Sequence, residues 1–220
     1  MDRSDAEASP VSESTIFVRK EKDMRTIKLF AAALVIASIA LSPGAAFAGK
    51  KAQAGANRPA TTTTATTTLT DLSKEEIGTL LWMREEEKLA RDVYIKMNEK
   101  WSAKVFARVA ASEQKHFDAI GKKLALYGIP DPALPGIGEF SVEKLQTTYN
   151  TLVTQGSASY VEALKVGVTI EEEDIEDLEA AIAETNAVPL EITYVHLLNG
   201  AENHLSCFIK LLEREGVVYE

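Results

Sequence analysis

The chain has 220 residues, a length that fits one domain of ordinary size with extra segments and leaves little room for a second full domain. Its 33 acidic and 24 basic residues give a net charge of −9, which argues against general nucleic-acid binding because phosphate recognition needs clustered Lys and Arg. The single cysteine, Cys207, excludes an internal disulfide framework and any metal site built from several cysteines.

The first 48 residues have the pattern of an export signal preceded by an unrelated segment. Residues 1–23 are polar, of mixed charge and without apolar periodicity. Residues 24–48 begin with a basic flank at Met24, continue with the apolar run LFAAALVIASIAL and end with the small-residue triplet AFA. This pattern predicts a signal peptide cleaved after Ala48. Because the basic flank begins at Met24, we expect translation to start there and residues 1–23 to be a start-site misassignment.

The alternative to cleavage is an uncleaved membrane anchor. Ser42, Pro43 and Gly44 interrupt the apolar run, which favours cleavage. On either interpretation the folded part is exported, to the periplasm, the cell surface or the extracellular space. Residues 49–71, which contain TTTTATTTLT, lack the apolar periodicity needed for a core and predict a flexible linker.

Residues 72–217 show the 3.6-residue periodicity of helices, and no segment alternates with the two-residue period of a strand. Ser73 and Glu76 form a capping-box pattern at the first helix start. The predicted helices are Ser73–Glu99, Ser102–Tyr127, Ser141–Gln155, Ser157–Thr185 and Pro189–Glu215. Four long helices and a short one in an extended crossover predict an all-α, ferritin-like four-helix bundle.

Each long helix has one apolar stripe that is interrupted near its middle by a carboxylate or an imidazole. The interrupting residues, in chain order, are Glu87, Glu113 with His116, Glu171, and His204. Buried carboxylates without partners lose their hydration at a high cost, so their convergence in one core requires a shared cation or a hydrogen-bond network. Glutamate and imidazole together are ligands suited to iron or manganese.

Several motifs resemble known families. The run EKLARDVY at residues 87–94 and the motif EQKH at residues 113–116 resemble the first two helices of rubrerythrins. The stretches IEEEDI at residues 170–175 and NHL at residues 203–205 resemble more closely a ferritin-like family of bacteria and archaea, the domain of unknown function numbered 2202. The similarity covers residues 72–212. It implies a di-iron carboxylate bundle with oxygen or hydrogen peroxide chemistry, and it implies no particular substrate.

Carried over residue by residue, the resemblance implies a set of metal ligands in the bundle core. They are Glu87, Glu113, His116, Glu171, Asp174 and His204. The last helix departs from the pattern, because Ala201 stands where a glutamate is expected and Glu202 points about 100° away. The site therefore holds one metal, holds two asymmetrically, recruits Asp174 or Glu202, or is empty.

Some neighbouring residues allow more than one role. Glu86 shares a helix face with core residues and is the alternative to Glu87, which the family pattern favours. Tyr94 is either a hydrogen-bonding core aromatic, which we favour, or a redox-active neighbour. We expect Cys207 to be a buried small apolar residue, with a metal ligand or an intermolecular disulfide as alternatives. We expect Glu172 and Glu173 to be solvated.

Three functions compete at this point. The first is a metal-dependent oxidoreductase, peroxidase- or ferroxidase-like, which would use an external reductant because the chain lacks the cysteine-ligated iron domain of rubrerythrins. The second is a non-catalytic binding or structural module with a degenerate metal site. Iron storage is the least favoured, because a signal and a tether do not suit a storage shell. The sequence is compatible with a homo-oligomer.

Overall fold

The computed structural model describes residues 71–219, in which five α-helices and no β-strand occur. The helices are α1 (Lys74–Trp101), α2 (Lys104–Leu126), α3 (Glu143–Gly156), α4 (Tyr160–Glu184) and α5 (Val188–Arg214). The prediction of an all-helical domain is confirmed, with every helix end within three residues of its expected position. The predictions for residues 1–70, including the signal peptide and most of the linker, lie outside the described residues. None of the helices within residues 71–219 has an apolar stretch long enough to span a membrane.

The helix ends follow from local side-chain chemistry. The capping box is present: Ser73 Oγ accepts a hydrogen bond from the Glu76 backbone N–H, and the Glu76 carboxylate accepts one from the Ser73 N–H. Ser159 caps α4 in the same position by accepting from the backbone of Glu162. Pro189 lies in the first turn of α5, where its missing N–H costs no helical hydrogen bond.

The long helices form two hairpins that face each other. Helix α1 packs on α2 and α4 packs on α5, while α1 also contacts α4 and α2 contacts α5. Trp101 at the end of α1 donates to the carbonyl of Gly156, just before α4 begins, and Thr185 at the end of α4 donates to Glu76 near the start of α1. Helices α1 and α4 are therefore antiparallel. The crossover 127–159, which contains α3, accordingly returns the chain along the length of the bundle.

Two apolar clusters fill the core and leave a polar layer between them. One cluster includes Val93, Phe106, Leu164 and Phe208. The other includes Leu80, Ile120, Leu178 and Leu197. In each long helix the interrupting carboxylates and imidazoles come between residues of the two clusters. The polar layer is therefore enclosed by apolar packing above and below.

A buried ion pair fastens the crossover to α1. Lys88 is 0% exposed, and its ammonium donates to Asp92 at 2.7 Å and to the carbonyls of Gly136 and Glu139 at 2.7 and 3.0 Å. The carboxylate of Asp92 also accepts from the N–H of Gly138 at 2.8 Å. Asp92 lies on α1, and the two carbonyls lie in the crossover. The network therefore holds the crossover loop against the helix that carries Glu87.

Candidate metal centre

The polar layer brings five of the six predicted ligands together, one or two from each long helix. They are Glu87 from α1, Glu113 and His116 from α2, Glu171 from α4, and His204 from α5. They form two groups, Glu87–Glu113–His116 and Glu113–Glu171–His204, in which one ligand atom of each residue lies within 4.8 Å of the others. Glu113 is shared by both groups.

The two groups are arranged almost symmetrically about Glu113. Its Oε2 lies 2.7 Å from Nδ1 of His116, and its Oε1 lies 2.7 Å from Nδ1 of His204. Glu87 approaches Nδ1 of His116 at 3.4 Å, and Glu171 approaches Nδ1 of His204 at the same distance. The two imidazole rings are stacked with centroids 5.7 Å apart. Each group thus offers one imidazole, one carboxylate of its own and one oxygen of Glu113.

The converging atoms are not hydrogen-bonded to one another. Nδ1 of His116, Nδ1 of His204, Oε1 of Glu113 and Oε1 of Glu87 are all buried and have no partner in hydrogen-bond geometry. A buried polar atom without a partner normally costs about 1–3 kcal/mol. Atoms that approach closely without an N–H directed along the contact are arranged as ligands around a cation would be, so the residues fit a metal.

Burial and charge together make this layer electrically unbalanced. Burial and the charge of Glu113 raise the pKa of Glu87 well above its usual value. Burial raises the pKa of Glu171 to about 7, with Glu113 adding to the effect. At Glu113 burial is outweighed by the two imidazoles, which lower its pKa to about 2. At His204 burial acts downward, but Glu113 and Glu171 raise the pKa to about 10. A bound cation would favour the charged forms of Glu87 and Glu171 and so lower both pKa values.

Tyr94 positions Glu171 from the side opposite the imidazole. Its hydroxyl donates to Oε1 of Glu171 at 2.6 Å, while Oε2 faces His204. The side chain is 0% exposed and its ring stacks on Phe208 with centroids 5.4 Å apart. The prediction of a hydrogen-bonding core aromatic is therefore confirmed. Such partners fix the orientation of a ligand and usually matter for metal affinity.

Asp174, the sixth predicted ligand, belongs to neither group. It is 9% exposed, and burial together with Glu87 and Glu113 raises its pKa well above the usual value. The carboxylate missing at Ala201 is not supplied by Glu202, because that side chain is exposed. Asp174 therefore lies beside the centre, close enough for its charge to interact with Glu87 and Glu113.

Two minor expectations were wrong, and one choice gains support. Cys207 is exposed, because the buried face of α5 passes through Ala201 and Phe208 and the residue before Phe208 lies about 100° away. Glu173 is half-buried with Oε1 enclosed, because α1 packs over this face of α4. Glu87, rather than Glu86, belongs to a ligand group.

Sequence reasoning missed two features beside the centre. Gly200 in α5 lies against the ring of His116. A glycine inside a helix is unfavourable by about 1 kcal/mol relative to alanine, and this was the available signal. Acidic residues on α1 and α4 form a further cluster that includes Glu86 and Asp177. Its members lie beside the apolar stripes, so a search along the stripes alone could not find it.

The comparisons with known proteins agree with this architecture. A family model described as Uncharacterized protein domain (DUF2202) matches residues 76–220. Uncharacterized protein MJ0754 of Methanocaldococcus jannaschii is 45% identical over 149 residues, covering 67% of this chain and 80% of the relative. The crystal structure of hypothetical protein MJ0754 from Methanococcus jannaschii DSM 2661 is similar with a TM-score of 0.65 at 44% identity, covering 67% of this chain and 85% of that chain.

Proposed function

The chain belongs to the family of the uncharacterized protein domain DUF2202, and from this premise we propose that it is an exported, ferritin-like metal-binding protein whose bundle core binds iron. One observation carries the proposal: the two oxygens of Glu113 each face a different imidazole, and each of these pairs has a second carboxylate beside it. Glu113 would therefore be shared between two neighbouring cations. Glu87 and His116 complete the first position, and Glu171 and His204 complete the second.

The donor set supports iron, with manganese as the alternative. Three carboxylates and two imidazoles, without thiolates, form a ligand set of intermediate hardness. Bundles with one long crossover hold dinuclear iron in such a core, and the crossover 127–159 has this topology. When bound, the iron pair would supply electrons for the reduction of oxygen or hydrogen peroxide.

The residues around the centre define how a small molecule would reach it. The imidazoles are its most exposed ligands, with 11% of the His116 and 13% of the His204 side chain accessible, against 1–2% for the glutamates. Oxygen or peroxide would therefore enter between α2 and α5, while the two apolar clusters exclude water from above and below.

An oxidoreductase of this kind would use an external reductant. The sequence has a single cysteine, and one thiolate is not enough for a cysteine-ligated iron site for electron delivery. Residues 24–48, with their basic flank and AFA triplet, support export of the bundle. A peroxidase- or ferroxidase-like activity outside the cytoplasm is the enzymatic form of the proposal.

A non-catalytic module with a degenerate site is the alternative. It is favoured by Ala201, because α5 then contributes no carboxylate to the centre, and by the mutual neutralisation of Glu113 and its two imidazoles. In that case the polar layer would hold a metal passively or serve as a polar network.

Metal analysis of purified protein loaded anaerobically with Fe²⁺ tests the proposal. We expect iron in the wild type, a loss of most iron in Glu113→Ala, and a partial loss in His116→Ala. His196→Ala is the matched control, because His196 is exposed and lies off the buried face of α5. Equal iron content in all four proteins would refute the site. Iron binding without consumption of oxygen or peroxide would establish the passive alternative.

A further inference from the structure

The first half of α5 presents a line of apolar side chains to solvent. Val188, Ile192 and Val195 are 61%, 54% and 39% exposed. Their spacings of four and three residues place them on one side of the helix, and the exposed residue Asn199 continues the line by a further turn. Single exposed aliphatic residues are common on protein surfaces, whereas contiguous ones mark interaction sites. We call these four residues the α5 stripe.

The α5 stripe has the spacing of a two-stranded coiled coil. With Ile192 at heptad position a, Val188 and Val195 occupy the two neighbouring d positions and Asn199 occupies the next a position. Ile at position a favours two strands, and a single Asn at position a fixes the register of a parallel pair. Glu202 occupies the following d position, where two copies would bring like charges together, so the seam ends at Asn199. The pattern therefore fits a second copy of the same helix.

The side of the α5 stripe that borders α2 is basic. His196 lies on this side, because it comes one turn before Gly200, which lies against the His116 ring of α2. The exposed ionisable side chains of α2 include one acid, Asp118. The others are all basic: Lys104, Arg108, Lys115 and Lys122.

The side of the α5 stripe that borders α4 is acidic. Glu191 lies on this side, because it comes one turn before Tyr194, which lines a cavity together with Ala181 of α4. The exposed ionisable side chains of α4 are all acidic: Glu176, Glu179 and Glu184. The α5 stripe therefore runs between two surfaces of opposite charge.

We propose that the α5 stripe is the interface of a parallel homodimer, in which the α5 helices of two copies pack side by side about a two-fold axis that runs along them. Such an axis places the basic side of each copy opposite the acidic side of the other. Glu191 at heptad position g then meets His196 at position e of the second copy. An imidazole N–H can donate to a carboxylate whether or not the ring is charged.

The charges distinguish this arrangement from an antiparallel one. In an antiparallel pair the two acidic sides would face each other, and so would the two basic sides, which is unfavourable. The seam spans about three turns of one helix per copy, which is less than a standard protein interface, so the dimer should be reversible. It uses the outer surface of α5 and does not depend on metal binding at the Glu113 centre.

Analytical ultracentrifugation of the purified protein over a range of concentrations tests the interface. We expect a monomer–dimer equilibrium in the wild type. Val195→Glu should weaken dimerisation by at least about tenfold, because it places two carboxylates opposite each other in the seam. Val142→Glu is the matched control, because Val142 is 42% exposed, lies outside α5 and should leave the dissociation constant unchanged. A wild type that is monomeric at every concentration, or an equal effect of the two substitutions, would overturn the proposal.

Disulfide cross-linking tests the parallel arrangement. In a Cys207→Ser background, Val188→Cys provides the only thiol of the protein. A parallel pair brings the two 188 positions together, so mild oxidation should give a covalent dimer. An antiparallel pair over the same stripe places residue 188 opposite residue 199, about three turns away. Val142→Cys in the same background should remain monomeric. The absence of a cross-link from Val188→Cys, or equal cross-linking of both variants, would overturn the parallel interface.

Discussion

Gly200 of α5 lies directly against the imidazole of His116: a Cβ on residue 200 would be 2.6 Å from both Cε1 and Nε2 of that ring. Only glycine leaves the ring room to turn Nδ1 towards Glu113. Helix stability alone would favour alanine here by about 1 kcal/mol. The position of the His116 imidazole therefore depends on residue 200 of α5 having no Cβ.

Gly200→Ala should displace the His116 ring and weaken metal binding by about tenfold, an effect typical of a lost positioning contact. Because the ring can rotate away and alanine favours the helix, the free energy of unfolding should fall little. A Mn²⁺ titration and a urea denaturation curve measure the two quantities. Asn199→Ala, at the exposed neighbouring position, serves as the control. Wild-type Mn²⁺ affinity in Gly200→Ala would contradict this role.

Tyr94→Phe should destabilise the metal-free protein by about 1–3 kcal/mol, because Glu171 loses its buried donor at 2.6 Å. The same variant should raise the pKa of Glu171, since the hydroxyl supports its charged form. Chemical denaturation measures the loss. Tyr160→Phe, which removes a half-buried hydroxyl without a hydrogen bond in residues 71–219, should cost less. Equal losses would show that Tyr94 has no special role.

Lys88→Met should reduce the free energy of unfolding by at least about 2 kcal/mol, because the carbonyls of Gly136 and Glu139 lose their donor and Asp92 keeps only Arg91 as a cationic partner. Urea denaturation followed by circular dichroism measures the change. Lys96→Met breaks the exposed pair with Glu99 and should cost no more than about 1 kcal/mol. Similar effects of the two substitutions would mean that the buried network does not fasten the crossover.

Metal binding should become tighter as pH rises from 6 to 9. In the metal-free protein the pKa of Glu171 is raised to about 7 and that of His204 to about 10, so both groups hold protons at or below neutral pH. Ligands must be deprotonated, so the metal displaces these protons and competes better where protons are scarce. Calorimetry at pH 7 in two buffers of different ionisation enthalpy should show the release of at least about one proton. His204→Ala should release fewer. Affinity that falls with pH would contradict the assignment.

The helices and the position of the polar layer along the bundle could be predicted from the sequence. Apolar stripes with capping residues such as Ser73 predict the helix ends because both features are local. Interruptions at Glu87, Glu113, Glu171 and His204 predict one polar layer because each falls at the middle of its helix. These properties depend only on helical periodicity.

Features that depend on a third element could not be predicted. Lys88 and Asp92 lie off the core stripe of α1 and are both 0% exposed, because the crossover covers a second face of the helix. The contact of each Glu113 oxygen with a different imidazole depends on how α2 faces α5. The space for the His116 ring depends on Gly200 of the facing helix. Nothing in the spacing along one helix encodes the rotation of its neighbour.

The most direct test of the central claim is anomalous diffraction from crystals of the protein soaked in Mn²⁺. Two positions that share Glu113 predict two anomalous peaks about 3.5–4 Å apart, one beside Glu87 and His116 and the other beside Glu171 and His204. Crystals of Glu113→Ala should lose at least one of them. An empty polar layer, or a single ion that does not contact Glu113, would contradict the account.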